Sequence, residues 1–401
     1  MYLQRVKNDS VWGSLKILYV GALLIFLINI FFGFTNSFSA GDLPRWQMLI
    51  HLHSGSIGWI TLSAIGIAIW IVTGQRDVDA AFEGRVRMLV WIAALIFAAY
   101  VISFGLAYSR PSGILVALLP LFGFVSVLIL WYSAIWSFAQ FSKQPVVTTV
   151  HFLAAGALLT AAIGGTVGML LGLERVIGEF LPLPGDDRVG AHAGMMDTYL
   201  FLVASCIVEW SLRKEETRWS WPGLLQALFW MVGAVLVPIA FFLNILDQIL
   251  PIFGLLLLLA MIIFLVRYGW RALTTVPRGS GVKSWNFFGV IWLVLYLLGF
   301  LYVVGSGADF ELLPPWFGAF FAHAGFVGMM TNLILAVVAS RGQEAKNVLP
   351  WGEAASFWAI NLGLIAFIAL KIAVDIRHGA IIMGLGILLA VFTMLRRLQA
   401  S

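Results

Sequence analysis

The stretches His53-Ser54-Gly55-Ser56-Ile57-Gly58-Trp59-Ile60-Thr61 and His323-Ala324-Gly325-Phe326-Val327-Gly328-Met329-Met330-Thr331 share His, two Gly and a closing Thr at matching positions. A shorter relative, His192-Ala193-Gly194, lies between them. The three histidines are 139 and 131 residues apart, about a third of the 401-residue chain. Each sits at or near the start of a long apolar run. The chain has six histidines, and with His51 four of them belong to this pattern. An ionisable or ligating side chain in such a run is costly to bury without a partner, so it marks a functional site.

Composition decides the class. The chain is 61% hydrophobic and 11% charged, with a mean hydropathy of +0.98. A soluble domain is about 25% charged. The chain therefore reads as an all-α integral membrane protein. Its net charge of +5 is no nucleic-acid signal, because the basic residues follow the membrane topology. One cysteine, Cys206, excludes a disulfide framework, an iron–sulfur cluster and covalent haem attachment. The N-terminal apolar run is too long for a signal-peptide core and reads as a helix.

A spanning helix needs about 20 apolar residues. Twelve runs meet that length, near 12–34, 47–73, 87–108, 113–138, 147–172, 190–211, 222–244, 249–267, 286–305, 315–340, 354–373 and 379–396. With the N-terminus inside, 18 of the 24 Lys and Arg residues fall on the inner side and six on the outer. Lys and Arg stay cytoplasmic, so both termini are expected there, in a cell inner membrane. His51, His53, His192, His323 and His378 then lie toward the outer, periplasmic half, and His151 toward the inner. The histidine pattern falls on the second, sixth and tenth segments. That predicts a single transmembrane domain, 1–401, built from four-helix repeats near 1–140, 141–275 and 276–401. The repeats would form three arcs about a pseudo-threefold axis.

On a helix, positions i+3, i+4 and i+7 share the face of residue i. From His51 that face is Ser54, Gly55 and Gly58, all small. A small-residue groove beside a histidine lets a flat group approach the backbone, and haem is the obvious one. The same groove serves plain helix packing. His192 with Met195 and Met196 instead suits copper, since imidazole and thioether are soft donors. Methionine is also a common core filler. Asp197 and Tyr199, next to His192, read either as a proton relay or as hydrogen-bonded packing. Lys371 and Arg377 flank the last outer loop. They read as anchors for haem propionates or as headgroup contacts. His151 and His378 read as interfacial or as satisfied by neighbouring groups.

Twelve helices in three arcs, with outer histidines on the second, sixth and tenth, resemble the catalytic subunit I of the haem–copper oxidase and nitric oxide reductase superfamily. The resemblance implies a low-spin haem b held by His53 or His51 together with His323. It implies copper or non-haem iron at His192, the histidine whose spacing to Met196 already suits copper. The chain departs from the family in two places. Its seventh segment holds no histidine, and Phe321 stands where the family has a second histidine on the tenth. The usual binuclear centre is thus incomplete. Length, segment count and the His51-x-His53 pair are similar to the haem- and copper-containing NnrS type, linked to nitric oxide tolerance. The resemblance implies a membrane redox protein of the respiratory chain, transferring electrons, with NO or O2 chemistry if a second centre forms. A cytochrome c or quinol donor and other respiratory subunits would be partners. The alternatives are a secondary transporter, or a non-catalytic subunit or assembly factor of a respiratory complex.

Overall fold

The computed structural model describes residues 9–38, 43–74, 78–181, 185–213, 218–279, 281–306, 313–314, 316–341, 349–373 and 377–400. Among these there is no strand. Twelve helices are long and apolar enough to cross a membrane: α1 (Val11–Phe38), α2 (Arg45–Thr73), α3 (Ala80–Ser109), α4 (Gly113–Lys143), α5 (Thr149–Ile177), α6 (Arg188–Leu212), α7 (Trp221–Phe242), α8 (Leu246–Leu273), α9 (Gly281–Gly305), α10 (Phe317–Ser340), α11 (Trp351–Ala369) and α12 (Arg377–Ala400). The segment count agrees with the sequence reading. Several helices begin earlier than their apolar runs. For example, α3 starts a turn or more before residue 87, because Asp79 caps it and its first turns carry the charged residues Glu83, Arg85 and Arg87.

Three helices form the interior. The apolar window of α2 is 94% buried, that of α10 78% and that of α6 72%, against 33–61% for the other nine. A helix apolar all round belongs inside, and one with a single buried stripe belongs at the edge. The outer helices turn Leu95, Ile135, Leu255 and Val266 outward, an apolar surface of the kind a bilayer covers. Neighbours in sequence pack on each other, and α1 closes the bundle against α12.

The repeated sequence has a local structural counterpart. Residues Ser54–Thr61 of α2 and Ala324–Thr331 of α10 are wound as wide π turns. In each, the closing threonine hydroxyl donates to the carbonyl five residues back. Thr61 Oγ1 bonds Ser56 O at 2.9 Å, and Thr331 Oγ1 bonds Phe326 O at 3.0 Å. Such turns are rare and concentrate at functional sites. The two meet where Trp59 Nε1 donates to Thr331 Oγ1 at 3.1 Å. The α6 pattern, which lacks the second Gly and the Thr, stays α-helical throughout.

The end of the bundle remote from His51, His53, His192 and His323 is tied by buried ion pairs. Glu209 of α6 takes both Arg267 nitrogens, at 2.8 and 2.9 Å. Glu353 of α11 accepts from Gly281 N, Trp285 Nε1 and Arg397. At the start of α3, Asp79 accepts from Phe82 N at 2.6 Å. Asp79→Ala removes that cap and is expected to cost about 1 kcal/mol, read as a small fall in the thermal midpoint in detergent.

Candidate functional site

Four histidines cluster at one end of the interior helices, and each is held the same way. His51 Nδ1 faces Asn29 O at 2.9 Å, His53 Nδ1 faces Leu49 O at 2.7 Å, His192 Nδ1 faces Gly164 O at 2.8 Å and His323 Nδ1 faces Ala319 O at 2.8 Å. A carbonyl only accepts, so in the neutral ring the proton sits on Nδ1 and Nε2 carries the lone pair. This is how metal-ligating histidines are oriented. His151 is held in the opposite sense. Its Nδ1 accepts from Thr148 N–H at 3.1 Å, which places the ring proton on Nε2, and it caps α5.

The histidines fall into two structural classes. His51 and His192 reach across to the preceding helix. The ring of His51 lies against Gly33 of α1, where a Cβ would stand 3.1 Å from Cε1; that of His192 lies against Gly168 of α5, at 2.5 Å. Phe321 of α10 occupies the same kind of notch, at Gly299 of α9, at 2.8 Å. His53 and His323 instead bond the carbonyl one turn back on their own helix. A phenyl ring from the following helix covers each: Phe104 of α3 stacks on His53 at 3.8 Å, and Phe367, in the helix containing α11, lies 4.7 Å from His323. The third member of that set is Gly194, covered by Val237 of α7.

The sequence alignment of His192 with His53 and His323 is therefore out of register by two. Structurally His192 matches His51, and Gly194 matches His53. The glycines that form the notches stand on other helices and carry no motif of their own, so the sequence offered no signal for them.

His51 and His323 open on one cavity. A chamber of about 320 Å³ lies between α1, α2 and α10, walled by Phe26, Trp59, Ile60, Phe326 and Val327, with Asn29 at its side. A second lobe of about 230 Å³ shares His51 and His323 and extends to Phe367, Ala380, Met383 and Gly384. Cofactor sites occupy roughly 300–1,000 Å³ and are mostly apolar with a few fixed polar groups. The structure thus brings His51, rather than His53, to His323. Both lie eight residues before the Trp59–Thr331 bond that joins their helices.

His53 lies within electrostatic reach of His192. Their helices are joined by the hydrogen bond of Thr61 Oγ1 and Tyr199 OH at 2.8 Å, eight residues beyond His53 and seven beyond His192. Among the described residues, no third His, Cys, Asp or Glu joins either pair.

The remaining candidates separate. Gly55 lines the chamber while packing on Asn29; Gly58 packs on Ile25 of α1 and is off the cavity wall. Met196 lies against Gly164, the residue whose carbonyl holds His192. Asp197 sits beside Tyr296 of α9, outside strict hydrogen-bond geometry. Arg377 is exposed at the start of α12, one turn before Ala380 on the cavity wall. The Lys371 side chain lies outside the described residues, as do Asp309 and Glu311 of the loop before α10. Glu174 accepts from Phe180 N and Leu181 N and pairs with Arg188, so the acidic loop after α5 is internally bonded. There Arg188 also hydrogen-bonds the exposed Glu179 at 2.9 Å and holds its carboxyl below the usual carboxylate range. Compared with known proteins, the sequence matches no family model and no curated protein.

Proposed function

We propose that the protein is a haem-binding membrane redox protein, with a b-type haem held between His51 of α2 and His323 of α10. One observation carries this reading: both rings open on the same apolar chamber with Nδ1 tied to backbone carbonyl and Nε2 left to ligate. Macrocycle iron needs only two protein ligands, because the ring supplies the other four. A pair of neutral imidazoles without a third donor is what that chemistry asks for.

The residues have separate tasks. Asn29 O and Ala319 O fix the tautomer and the swing of the two rings. Phe367 limits rotation of His323. Phe26, Trp59 and Phe326 exclude water, which raises the cost of any change of charge inside. Arg377, one turn beyond the wall, is positioned for a carboxylate arm. Haem ligated on both faces supplies one-electron transfer and leaves no open position for a gas. The fold class, the outer-half histidines and the absence of histidine from α7 support a relative of the oxidase and reductase subunit I without their usual binuclear centre. The recurrent ring-in-notch contacts of α1–α2, α5–α6 and α9–α10 support three quasi-equivalent four-helix arcs. Basic residues place both termini on the cytoplasmic side, and a cytochrome c or quinol would be the electron donor.

The test is a reduced-minus-oxidised spectrum with a pyridine haemochrome assay on the purified protein. We expect a bis-histidine b-type signal, with the same haem lost in His51→Ala and in His323→Ala. A well-folded wild type without a Soret band overturns the reading.

A further inference from the structure

The ring orientations and the interhelix bond of the His51–His323 pair recur at His53 and His192. Each of the two pairs joins one histidine notched into the preceding helix (His51, His192) with one bonded to its own helix and covered by a phenyl ring (His323, His53). In each pair the two helices are bonded at nearly the same distance beyond the rings, by Trp59–Thr331 or by Thr61–Tyr199. Consecutive spans alternate in direction, so α2, α6 and α10 run the same way and each pair sits level. The third seam, between α6 and α10, has Phe321 and Gly194 at these two positions. Phe321 stacks on Tyr296 of α9 at 4.6 Å, so this seam carries no imidazole. Two seams therefore carry an imidazole from each of their helices, and one carries none.

The second pair also has cations beyond it. Phe104, stacked on His53, is followed one turn later by Tyr108. Arg175 of α5 lies 3.8 Å over the Tyr108 ring, and Arg45 of α2 lies 5.9 Å from it. Arg45 is eight residues before His53, about 12 Å along the helix. Arg175 is seven residues beyond the Gly168 notch that holds His192. Two guanidiniums on the same side of one imidazole pair suit a ligand with two carboxylate arms. They count against a bare cation there.

We propose that the seam between α2 and α6 holds a second haem, ligated by His53 and His192, with its carboxylates taken by Arg45 and Arg175. This rests on the reading of the first pair as a haem site. The two centres would lie on opposite sides of α2, with ligands two residues apart in sequence. That is an arrangement for passing an electron from one to the other. Neither pair shares a ligand with the other, so each can be removed alone.

The experiment is the haem-to-protein ratio, with low-temperature EPR of the oxidised protein, in wild type and single variants. We expect two haems per chain and two low-spin signals. His53→Ala and His192→Ala should each fall to one haem and lose the same signal. His323→Ala should fall to one and lose the other. The haem that survives in each variant reports that the protein is folded. His192→Gly with imidazole in the buffer should regain the second haem. A ratio of one in wild type, unchanged by His53→Ala and lost in His323→Ala, overturns this proposal and leaves the first site standing. One haem plus a copper ion that His192→Ala removes also overturns it. No haem at all overturns both readings.

Discussion

Replacing Glu209 by alanine is expected to destabilise the protein by about 3 kcal/mol, at the low end of the range for breaking a buried ion pair. The reason is the charge left behind. Arg267 is held in a fork by both Glu209 oxygens, and also donates to Gln226 Oε1 at 2.8 Å and to Thr149 Oγ1 at 3.3 Å. The Glu209 side chain is fully buried and that of Arg267 is 14% exposed. Without the carboxylate, the guanidinium keeps two neutral acceptors and no counter-charge. The four groups come from α5, α6, α7 and α8, so the loss is shared by a whole third of the bundle. Glu209→Gln keeps one acceptor and should cost less, and Glu209→Ala with Arg267→Met should recover most of the loss. Thermal unfolding in detergent, followed by size-exclusion chromatography, measures this. An unchanged midpoint in Glu209→Ala would show that the pair contributes no net stability.

Gly379→Leu is the second large effect. A side chain at Gly379 would run into the backbone of Phe367, and one at Gly386 would come within 2.8 Å of Ile360 N. The helices containing α11 and α12 thus touch backbone to backbone, and neither side can yield by changing a rotamer. Overpacking of this sort costs about 1–3 kcal/mol, and more where backbone must separate. It also has a functional reading. Phe367 contacts His323, and Ala380, one residue from Gly379, lines the same chamber. On the proposed reading, Gly379→Leu should therefore loosen the haem held between His51 and His323 and leave the proposed second site in place. The expected result is partial haem loss with a shifted midpoint potential for the remainder. A variant with normal stability and an unaltered spectrum would show that this contact does not position His323.

The sequence alone determined the architecture class. Twelve apolar runs of spanning length have few folded solutions, because backbone polar groups in lipid must bond within each helix. It also located the four histidines, since each stands in an otherwise apolar run, and it marked α2 and α10 as alike. The Gly and Thr spacing they share became the same π turn in both, closed by the hydroxyls of Thr61 and Thr331. What it left open was which histidine faces which. His51 and His53 are two residues apart on one helix, so they point to different neighbours. Which neighbour each meets depends on the rotation of α2 against α6 and α10. The match of His192 to His51 likewise depends on Gly164 O and Gly168, which belong to α5 and reach the ring only after the helices pack. A side chain's place in its own helix is local and can be read from spacing. The carbonyls that orient His51 and His192 lie 22 and 28 residues away on the preceding helix, and His51 stands 272 residues from His323, so only the tertiary structure brings them together.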